Sequence, residues 1–169
     1  MSARRTTSIE VGAAAGLVGG IASGVLLQLT RMTTVSGAQA PAMALVAAAA
    51  HVAPAPAAWI VYLVYTALIG AAFGALLARQ DVGEGSGIVW GVLYGGFWWI
   101  VSGLVVIPAL HGVGPLTPAA VDIIRGASLP WFAAMLVDGA FTGGVYAVAM
   151  RQSPLAARDT RAATSRRAA

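Results

Sequence analysis

The chain of 169 residues has no cysteine, no lysine and few charged residues of either sign. The lack of cysteine excludes disulfides, thiolate metal sites and a cysteine nucleophile in every compartment. Charged residues make up only 9% of the chain and hydrophobic residues 59%, which leaves too little polar surface to cover a water-soluble globule of this size. The basic residues are all arginine, and alanine is abundant, as in proteins from GC-rich prokaryotic genomes. These absences favour a membrane protein.

Four Gly- and Ala-rich apolar stretches account for most of the chain. A bilayer core about 30 Å thick needs roughly 20 apolar residues of helix to cross it, and each stretch has that length with at most one ionisable side chain inside it. The sequence therefore predicts an all-α fold, an integral membrane bundle of four transmembrane helices. The predicted spans are residues 9–30, 57–78, 86–110 and 129–150.

The distribution of arginine predicts which side of the membrane each segment occupies. Eight arginines precede span 1, lie between spans 2 and 3 or follow span 4, and only Arg31 and Arg125 lie in the other two loops. The positive-inside rule therefore places both termini in the cytoplasm of a multi-pass cell-membrane protein. Trp59, Trp131 and Trp90 are then expected as interfacial anchors. The expected partner of the basic charge is the lipid bilayer, and no nucleic acid partner is needed.

The chain divides into three predicted parts. Residues 1–8 form a cytoplasmic N-terminus, residues 9–150 the transmembrane domain, and residues 151–169 a disordered, Arg-rich cytoplasmic tail able to lie against anionic lipid. Residues 36–40, SGAQA, resemble a signal-peptide cleavage site. The preceding apolar run is longer than the usual signal-peptide core and Pro41 would follow the cut, so we expect span 1 to be retained.

The two halves of the chain resemble each other. GLVGGIASG at 16–24 aligns with GIVWGVLYG at 87–95 at an offset of 71, and LLARQ at 76–80 aligns with VAMRQ at 148–152 at an offset of 72. The pattern predicts a duplicated helical hairpin, with repeat one at about 9–80 and repeat two at about 84–152. Because each repeat has an even number of spans, both would cross in the same direction, related by an axis along the membrane normal.

Each repeat is also expected to carry a short interfacial helix on the outer side of the membrane. The first is predicted at 41–52 and the second at 117–126, because both stretches are too short to cross. In the second, Thr117 can cap the helix, Pro118 suits its first position, and Asp122 can pair with Arg125.

The glycines are spaced four residues apart, which forms a ridge of small residues along one face of each span. Transmembrane helices associate by close packing over such residues. The ridges predict a tight bundle, a homo-oligomer or docking into a larger membrane complex, since the pattern marks contact but not its partner. The ridge residues are Gly12, Gly16, Gly20 and Gly24 on span 1, Gly70 and Gly74 on span 2, Gly87, Gly91 and Gly95 on span 3, and Gly139 and Gly143 on span 4.

Asp138 is the one acid well inside a span. Counting residues places it about 12 Å from the outer boundary, where an ionisable group is costly and is by default a functional candidate. Ser102 is expected at a similar depth and Thr142 lies one turn away, so a neutral, hydrogen-bonded carboxyl is feasible. Two interpretations stay open: a structural hydrogen bond between helices, or a role in transport.

Span 3 also carries an aromatic stripe, Trp90, Tyr94 and Trp98, spaced every four residues. The stripe could face a flat lipid-soluble ligand such as a quinone, or pack against the small residues of span 1. His51 and His111 are both expected at outer helix ends, where copper or haem ligation is the less favoured interpretation. We therefore expect no cofactor and no metal.

The stretch GVLYGGFWWIVSGLVVIPALHG at 91–112, between a Gly-ridged first span and a Gly-rich last one, resembles an uncharacterised family of small prokaryotic four-span membrane proteins. These are loosely similar to the YagU-type inner-membrane proteins. The resemblance covers most of residues 10–150 and implies the four-span architecture. It brings no catalytic or binding residues to this chain.

The sequence shows no nucleotide-binding loop, catalytic triad, paired carboxylates or metal signature, so we expect a protein that is not an enzyme. The leading expectation is an oligomeric structural or accessory subunit of a membrane complex. The alternative is a small transporter or proton-coupled conduit that uses Asp138.

Overall fold

The computed structural model describes residues 2–33, 37–53, 55–80, 83–125 and 128–153. Four helical segments are long and apolar enough to cross a membrane, which confirms the prediction of four such helices: they lie in α1, in α3, in α7 and in Glu84–Leu110, which runs from α4 through α5. The predicted tail lies outside the described residues from residue 154 onwards. The helices are α1 (Ser2–Leu29), α2 (Ala44–Ala49), α3 (Ala55–Leu77), α4 (Glu84–Val101), α5 (Ile107–Leu110), α6 (Pro118–Ile124) and α7 (Ser128–Gln152).

A small β-hairpin follows α1. Strand β1 (Arg31–Thr33) pairs antiparallel with β2 (Gln39–Pro41), with Met32 opposite Ala40. The short helix predicted at 41–52 is therefore confined to α2, because the strand pairing takes the residues before it. Together the β-hairpin, α2 and α6 mark one end of the bundle, which we term the β-hairpin end. The opposite end, where α1 begins and α7 ends, is the terminal end.

Helix α4 reaches α5 through a π-helical turn at Ser102–Val106, so the predicted third span is helical throughout and changes its pitch at this turn. Pro108 has no N–H to donate to the carbonyl of Leu104 four residues earlier. That carbonyl instead accepts a hydrogen bond from the backbone N–H of Leu116, at 3.0 Å. The π-helical turn and this bond connect the end of the third span to the loop that precedes α6.

Helix α6 has the local interactions that were expected from its sequence. The Thr117 side chain accepts a hydrogen bond from the Ala120 N–H at 3.3 Å, and Pro118 occupies the first turn. Asp122 and Arg125 form an ion pair at 2.7 Å. Both predictions are confirmed, because each depends only on residues three apart on one helix.

Three close contacts between helices hold the bundle together. Helix α1 packs along both α3 and α7, and α7 also packs along α4. We call α1/α3 and α4/α7 the glycine seams and α1/α7 the polar seam, after the residues that form them. Helices α3 and α4 lie farther apart, and aromatic side chains fill the space between them; this is the aromatic seam.

In the α1/α3 glycine seam, Gly12 and Gly16 of α1 face Gly70 and Gly74 of α3. A methyl group on any of these four would lie within 3.0 Å of the facing backbone. The two backbones can therefore approach this closely only because the side chains are absent.

The α4/α7 seam is built in the same way. Gly87, Gly91 and Gly95 of α4 face the stretch of α7 that contains Gly139 and Gly143. At each of these positions a Cβ would again lie within 3.0 Å of the facing helix. Both glycine seams therefore use the ridge glycines for contacts inside one chain.

The last two ridge glycines of α1 face side chains instead of backbone. Gly20 faces Thr66, and Gly24 faces the indole of Trp59. The ridge thus ends at the β-hairpin end, where α1 and α3 diverge enough to hold side chains between them.

Of the tryptophans expected as interfacial anchors, Trp131 is buried in the bundle. Trp131 is only 5% exposed and lies in the core, where its indole N–H donates to Ser102 Oγ at 3.0 Å. The expectation that Trp131 is an interfacial anchor is wrong, because its side chain points into the bundle to meet that hydroxyl. Trp90, by contrast, is 51% exposed on the outside of α4.

Candidate functional site

Asp138 lies near the middle of α7 and is buried, with 3% of its surface exposed. Its carboxyl faces α1 at Gly19: a Cβ on Gly19 would lie within 3.0 Å of the Asp138 carbonyl oxygen, of Asp138 Oδ1 and of Thr142 Oγ1. The absence of a side chain at Gly19 therefore provides the space that the two polar groups occupy. The contact of Gly19 with Asp138 and Thr142 is the centre of the polar seam.

The structure brings Asp138 and Thr142 together without a hydrogen bond between them. Asp138 Oδ1 and Thr142 Oγ1 are both buried with no hydrogen-bond partner among the described residues. A buried polar group left unsatisfied costs about 1–3 kcal/mol, and more if it is charged. Together a carboxyl and a hydroxyl offer several acceptors and the hydroxyl donor, and a protonated carboxyl adds a second donor. They suit a proton, a water molecule or a small cation.

Other polar side chains extend the site across the bundle. Ser23 Oγ donates to the Gly19 carbonyl at 2.8 Å, so it accepts the hydrogen bond of 2.8 Å from the Tyr62 hydroxyl. Thr66 Oγ1 donates to the Leu63 carbonyl at 3.1 Å. Because Gly19 contacts Asp138 and the adjacent Gly20 contacts Thr66, these groups form one polar layer through α7, α1 and α3.

Gly19 is the functional candidate that the sequence interpretation missed. The ridge glycines of α1 recur every four residues, and Gly19 lies outside that register. Its signal is the Gly19–Gly20 pair, in which one glycine faces α3 and the other α7. A helix that packs closely against two neighbours needs small residues on two faces, and adjacent glycines supply them.

Ser102 does not lie at the depth of Asp138. Its hydroxyl donates to the Trp98 carbonyl at 2.5 Å and accepts from Trp131 Nε1. Trp131 precedes Asp138 by seven residues of α7, about 10 Å along the helix. At the level of Asp138, α4 instead presents Gly95, which contacts Met135 and Gly139. Ser102 therefore belongs to the β-hairpin end, and the expected Asp138–Ser102 proximity is wrong.

The aromatic stripe is divided between two environments. Trp90 faces outward, whereas Tyr94 and Trp98 enter the aromatic seam against α3. Tyr94 packs on Phe73 with ring centroids 5.2 Å apart and donates its hydroxyl to the Ile69 carbonyl at 3.0 Å. The stripe therefore packs against α3 and not against span 1, because α7 lies between α4 and α1 on that side of the bundle.

A cavity of about 90 Å³ lies between this layer and the β-hairpin end. Its walls are apolar side chains from α2, α3, α5 and α7, with Tyr62, Tyr65 and Ser102 as polar members. The Tyr65 hydroxyl is buried without a hydrogen-bond partner among the described residues, although Ser102 is within interaction range. The phenols of Tyr62 and Tyr65 are also within electrostatic range of the Asp138 carboxyl. The cavity and the polar layer thus share residues.

The structure brings the two histidines together at the β-hairpin end. The ring centroids of His51 and His111 are 6.4 Å apart, and each Nδ1 lies at a backbone carbonyl, Ala49 at 3.2 Å and Ile107 at 2.9 Å. Among the described residues, no third His, Cys, Asp or Glu joins them in a group that could hold a metal ion. Their geometry supports a contact between α2 and α5.

Comparison with known protein families, with curated proteins and with solved structures finds no match to this chain. The resemblance to YagU-type proteins stays a prediction. The function is therefore inferred from the chain's own geometry.

Proposed function

We propose that this chain is a multi-pass membrane protein that is not an enzyme and that conducts protons or small cations through its bundle by way of Asp138. The observation that carries the proposal is the pair of buried oxygens, Asp138 Oδ1 and Thr142 Oγ1, which face Gly19 and have no hydrogen-bond partner among the described residues. An ionisable group placed inside a membrane bundle commonly marks an ion or proton pathway.

The alternative role of Asp138, a structural hydrogen bond between helices, is less well supported. A protonated carboxyl that joins helices donates to an acceptor on its neighbour, and Asp138 Oδ1 has no partner among the described residues. The glycine seams already provide close helix contact without any polar group. The buried carboxyl is therefore better explained by a ligand than by packing.

Hydroxyl groups lie on both sides of Asp138 and could relay a proton. Toward the terminal end, the Tyr146 hydroxyl lies 2.6 Å from Ser8 Oγ. Ser8 donates to the Gly74 carbonyl at 2.6 Å, so it accepts from Tyr146. Toward the β-hairpin end lie Tyr62, Tyr65 and the cavity. These groups supply the hydrogen-bonding sites that a proton pathway needs on each side of its central carboxyl.

The proposed membrane orientation has both termini in the cytoplasm. Arg4, Arg5 and Arg79 line one groove at the terminal end, and Arg151 pairs with Glu84 there at 2.8 Å. This clustering supports a cytoplasmic terminal end under the positive-inside rule. A cysteine placed at Ser2 or Ser128 and labelled from outside intact cells tests the orientation: only Ser128→Cys should react.

We further propose that the two helical pairs, α1/α3 and α4/α7, arose by duplication. The contact of Gly16 with Gly70 has a counterpart in Gly87 with Gly143. The offsets are 71 and 73 residues, and the second differs by one from the offset of 72 between LLARQ and VAMRQ. With the same two offsets, the contact between Gly20 and Thr66 corresponds to the contact between Gly91 and Gly139. Asp138 has no acidic counterpart in α3, so the conduit itself is not duplicated.

The test of the conduit is proton flux in liposomes that contain the purified full chain and a trapped pH-sensitive dye. With a potassium gradient and valinomycin driving uptake, Asp138→Asn should abolish the flux, because the amide cannot take up and release a proton. Asp122→Asn is the matched control, since Asp122 is an exposed Asp in the α6 ion pair, and it should leave the flux unchanged. Wild-type flux no greater than that of empty liposomes would refute the proposal for protons. Liposomes without valinomycin, loaded with a sodium- or potassium-sensitive dye and given an inward gradient of that ion, would then test the cation.

A second candidate, an oligomeric structural or accessory subunit, is favoured by one feature of the outer surface. An open groove of about 540 Å³ runs along α7 beside α4 and is lined by Ile88, Phe141, Gly144 and Val148. A helix of another subunit could pack there. Mass measurement in nanodiscs separates the candidates: assembly that depends on Gly144→Leu but not on Asp138→Asn, in a chain without flux, would favour the subunit role.

A further inference from the structure

The groove at the terminal end has a lining that matches one class of ligand. Helix α1 contributes Arg4 and Arg5, and the turn after α3 contributes Arg79, around a groove of about 750 Å³. Apolar side chains complete the lining, among them Ile9 of α1 and Leu76 of α3, and Leu76 is 67% exposed. Guanidinium groups at the rim of an apolar groove form an amphipathic surface.

The fold holds these residues together although α1 and the end of α3 are far apart in sequence. Ser8 Oγ donates to the Gly74 carbonyl at 2.6 Å, and a Cβ on Gly74 would lie within 3.0 Å of the Ser8 carbonyl oxygen. The first turns of α1 are therefore packed against the last turns of α3. This contact, and not local sequence, places Arg5 and Arg79 in the lining of one groove.

Arg5 and Arg79 are the groove arginines that matter here, and the described ion pairs Arg125–Asp122 and Arg151–Glu84 lie outside the groove. No carboxylate is among the described residues that line the groove. Arginine binds phosphate oxygens through parallel N–H donors, and basic pockets between transmembrane helices on the cytoplasmic side recognise anionic headgroups.

We propose that this groove binds an anionic phospholipid, with its phosphate at Arg5 and Arg79 and its acyl chain along Leu76 and Ile9. The apolar lining selects a lipid over a free anion, because inorganic phosphate would gain nothing from Leu76. The site is independent of the Asp138 conduit, which lies in the middle of the bundle.

The test is thermal unfolding of the full chain in neutral detergent at constant ionic strength, followed by tryptophan fluorescence. Short-chain phosphatidylglycerol should raise the melting temperature in a concentration-dependent manner, and phosphatidylcholine should not. Removing both arginines in Arg5→Gln/Arg79→Gln should raise the phosphatidylglycerol concentration for half the effect about thirtyfold. Arg31→Gln/Arg125→Gln, at the other end, is the matched control and should respond like wild type.

The design of the variants controls for lipid binding by the Arg-rich tail and for loss of folding. The Arg-rich tail is present in every variant, so its own affinity for anionic lipid contributes equally to all of them. If the double variant does not fold, Arg79→Gln alone should still shift the half-effect concentration about fivefold. Equal responses to phosphatidylglycerol and phosphatidylcholine, an unchanged response in the double variant, or equal stabilisation by inorganic phosphate would each overturn the lipid site.

Discussion

The glycine seams and the polar seam join helices of the same bundle with opposite chemistry. In the glycine seams, backbone meets backbone over Gly12, Gly70 and their neighbours, and a single methyl group would not fit. In the polar seam, Gly19 makes room for two side chains, Asp138 and Thr142, whose buried oxygens have no partner among the described residues. Glycine therefore serves two purposes on α1: on one face it brings helices together, and on the other it admits polar groups.

The two kinds of seam are expected to contribute differently to stability and to function. The glycine seams contain the packing that a membrane bundle needs, since apolar side chains gain little by leaving lipid for a neighbouring helix. The polar seam contains groups whose burial is unfavourable. Substitutions in the first should therefore change stability, and substitutions in the second should change activity more than stability.

The largest expected effect is Gly95→Ala in the α4/α7 glycine seam. The new methyl group would meet the Met135 carbonyl oxygen within 3.0 Å, and overpacking of this kind costs about 1–3 kcal/mol or more of unfolding free energy. The measurement is unfolding by sodium dodecyl sulfate in mixed micelles. Gly96→Ala is the control on the same helix, because its Cβ would lie 3.9 Å from Leu136. Similar losses in both variants would show that the glycine seam is not specifically close-packed.

A smaller effect is expected from Tyr146→Phe, which breaks a hydrogen bond across the polar seam. The Tyr146 hydroxyl is bonded to Ser8 Oγ at 2.6 Å, and such a bond is worth about 1 kcal/mol within a membrane bundle. Tyr65→Phe is the matched control, because the buried Tyr65 hydroxyl has no hydrogen-bond partner in the part of the chain that the structure describes. The same unfolding assay should show a loss for Tyr146→Phe only, and a larger loss for Tyr65→Phe would contradict the assignment of that hydroxyl as unpaired.

The smallest effect on stability is expected from Thr142→Val. Valine has nearly the same shape as threonine and removes a hydroxyl that has no partner among the residues that the structure describes, so the unfolding free energy should change by less than about 0.5 kcal/mol. Flux should nevertheless fall if Thr142 helps Asp138 to hold its ligand. Thr30→Val, which removes a hydroxyl that donates to the Leu26 carbonyl outside the polar layer, should leave flux intact. Full flux in Thr142→Val would show that Thr142 is not part of the proposed site and that Asp138 acts without it.

Features that depend on neighbouring residues were predictable from the sequence. Apolar length predicted the four long helices, and spacing on one helix predicted the Thr117 cap and the Asp122–Arg125 ion pair. The β-hairpin at Arg31–Pro41 was not predicted, because short strands without a clear alternation of apolar and polar residues have no strong sequence signal. The π-helical turn was missed for a related reason: Pro108 marks a break, but its effect depends on the distant Leu116.

Features that depend on helix rotation and depth were predicted less well. Trp131 was expected at a membrane boundary and instead donates to Ser102 inside the bundle. Ser102 was expected near Asp138 because residues were counted from a loop, whereas the register of α4 on α7 is determined by the glycine contacts. The face of a helix that meets a given neighbour cannot be obtained from counting when, as on α1, small residues occupy two faces.

The sequence by itself determined that this chain has four apolar helices, few charges apart from arginine, and one acid, Asp138, in the middle of a helix. Those properties follow from composition and length, because the cost of placing polar groups in lipid depends on each segment alone. Only the tertiary structure decided that Gly19 faces Asp138, that Arg5 and Arg79 line one groove, and that Trp131 points inward. These depend on which helices pack together and in which register, and close packing over glycine is a property of pairs of helices rather than of any one of them.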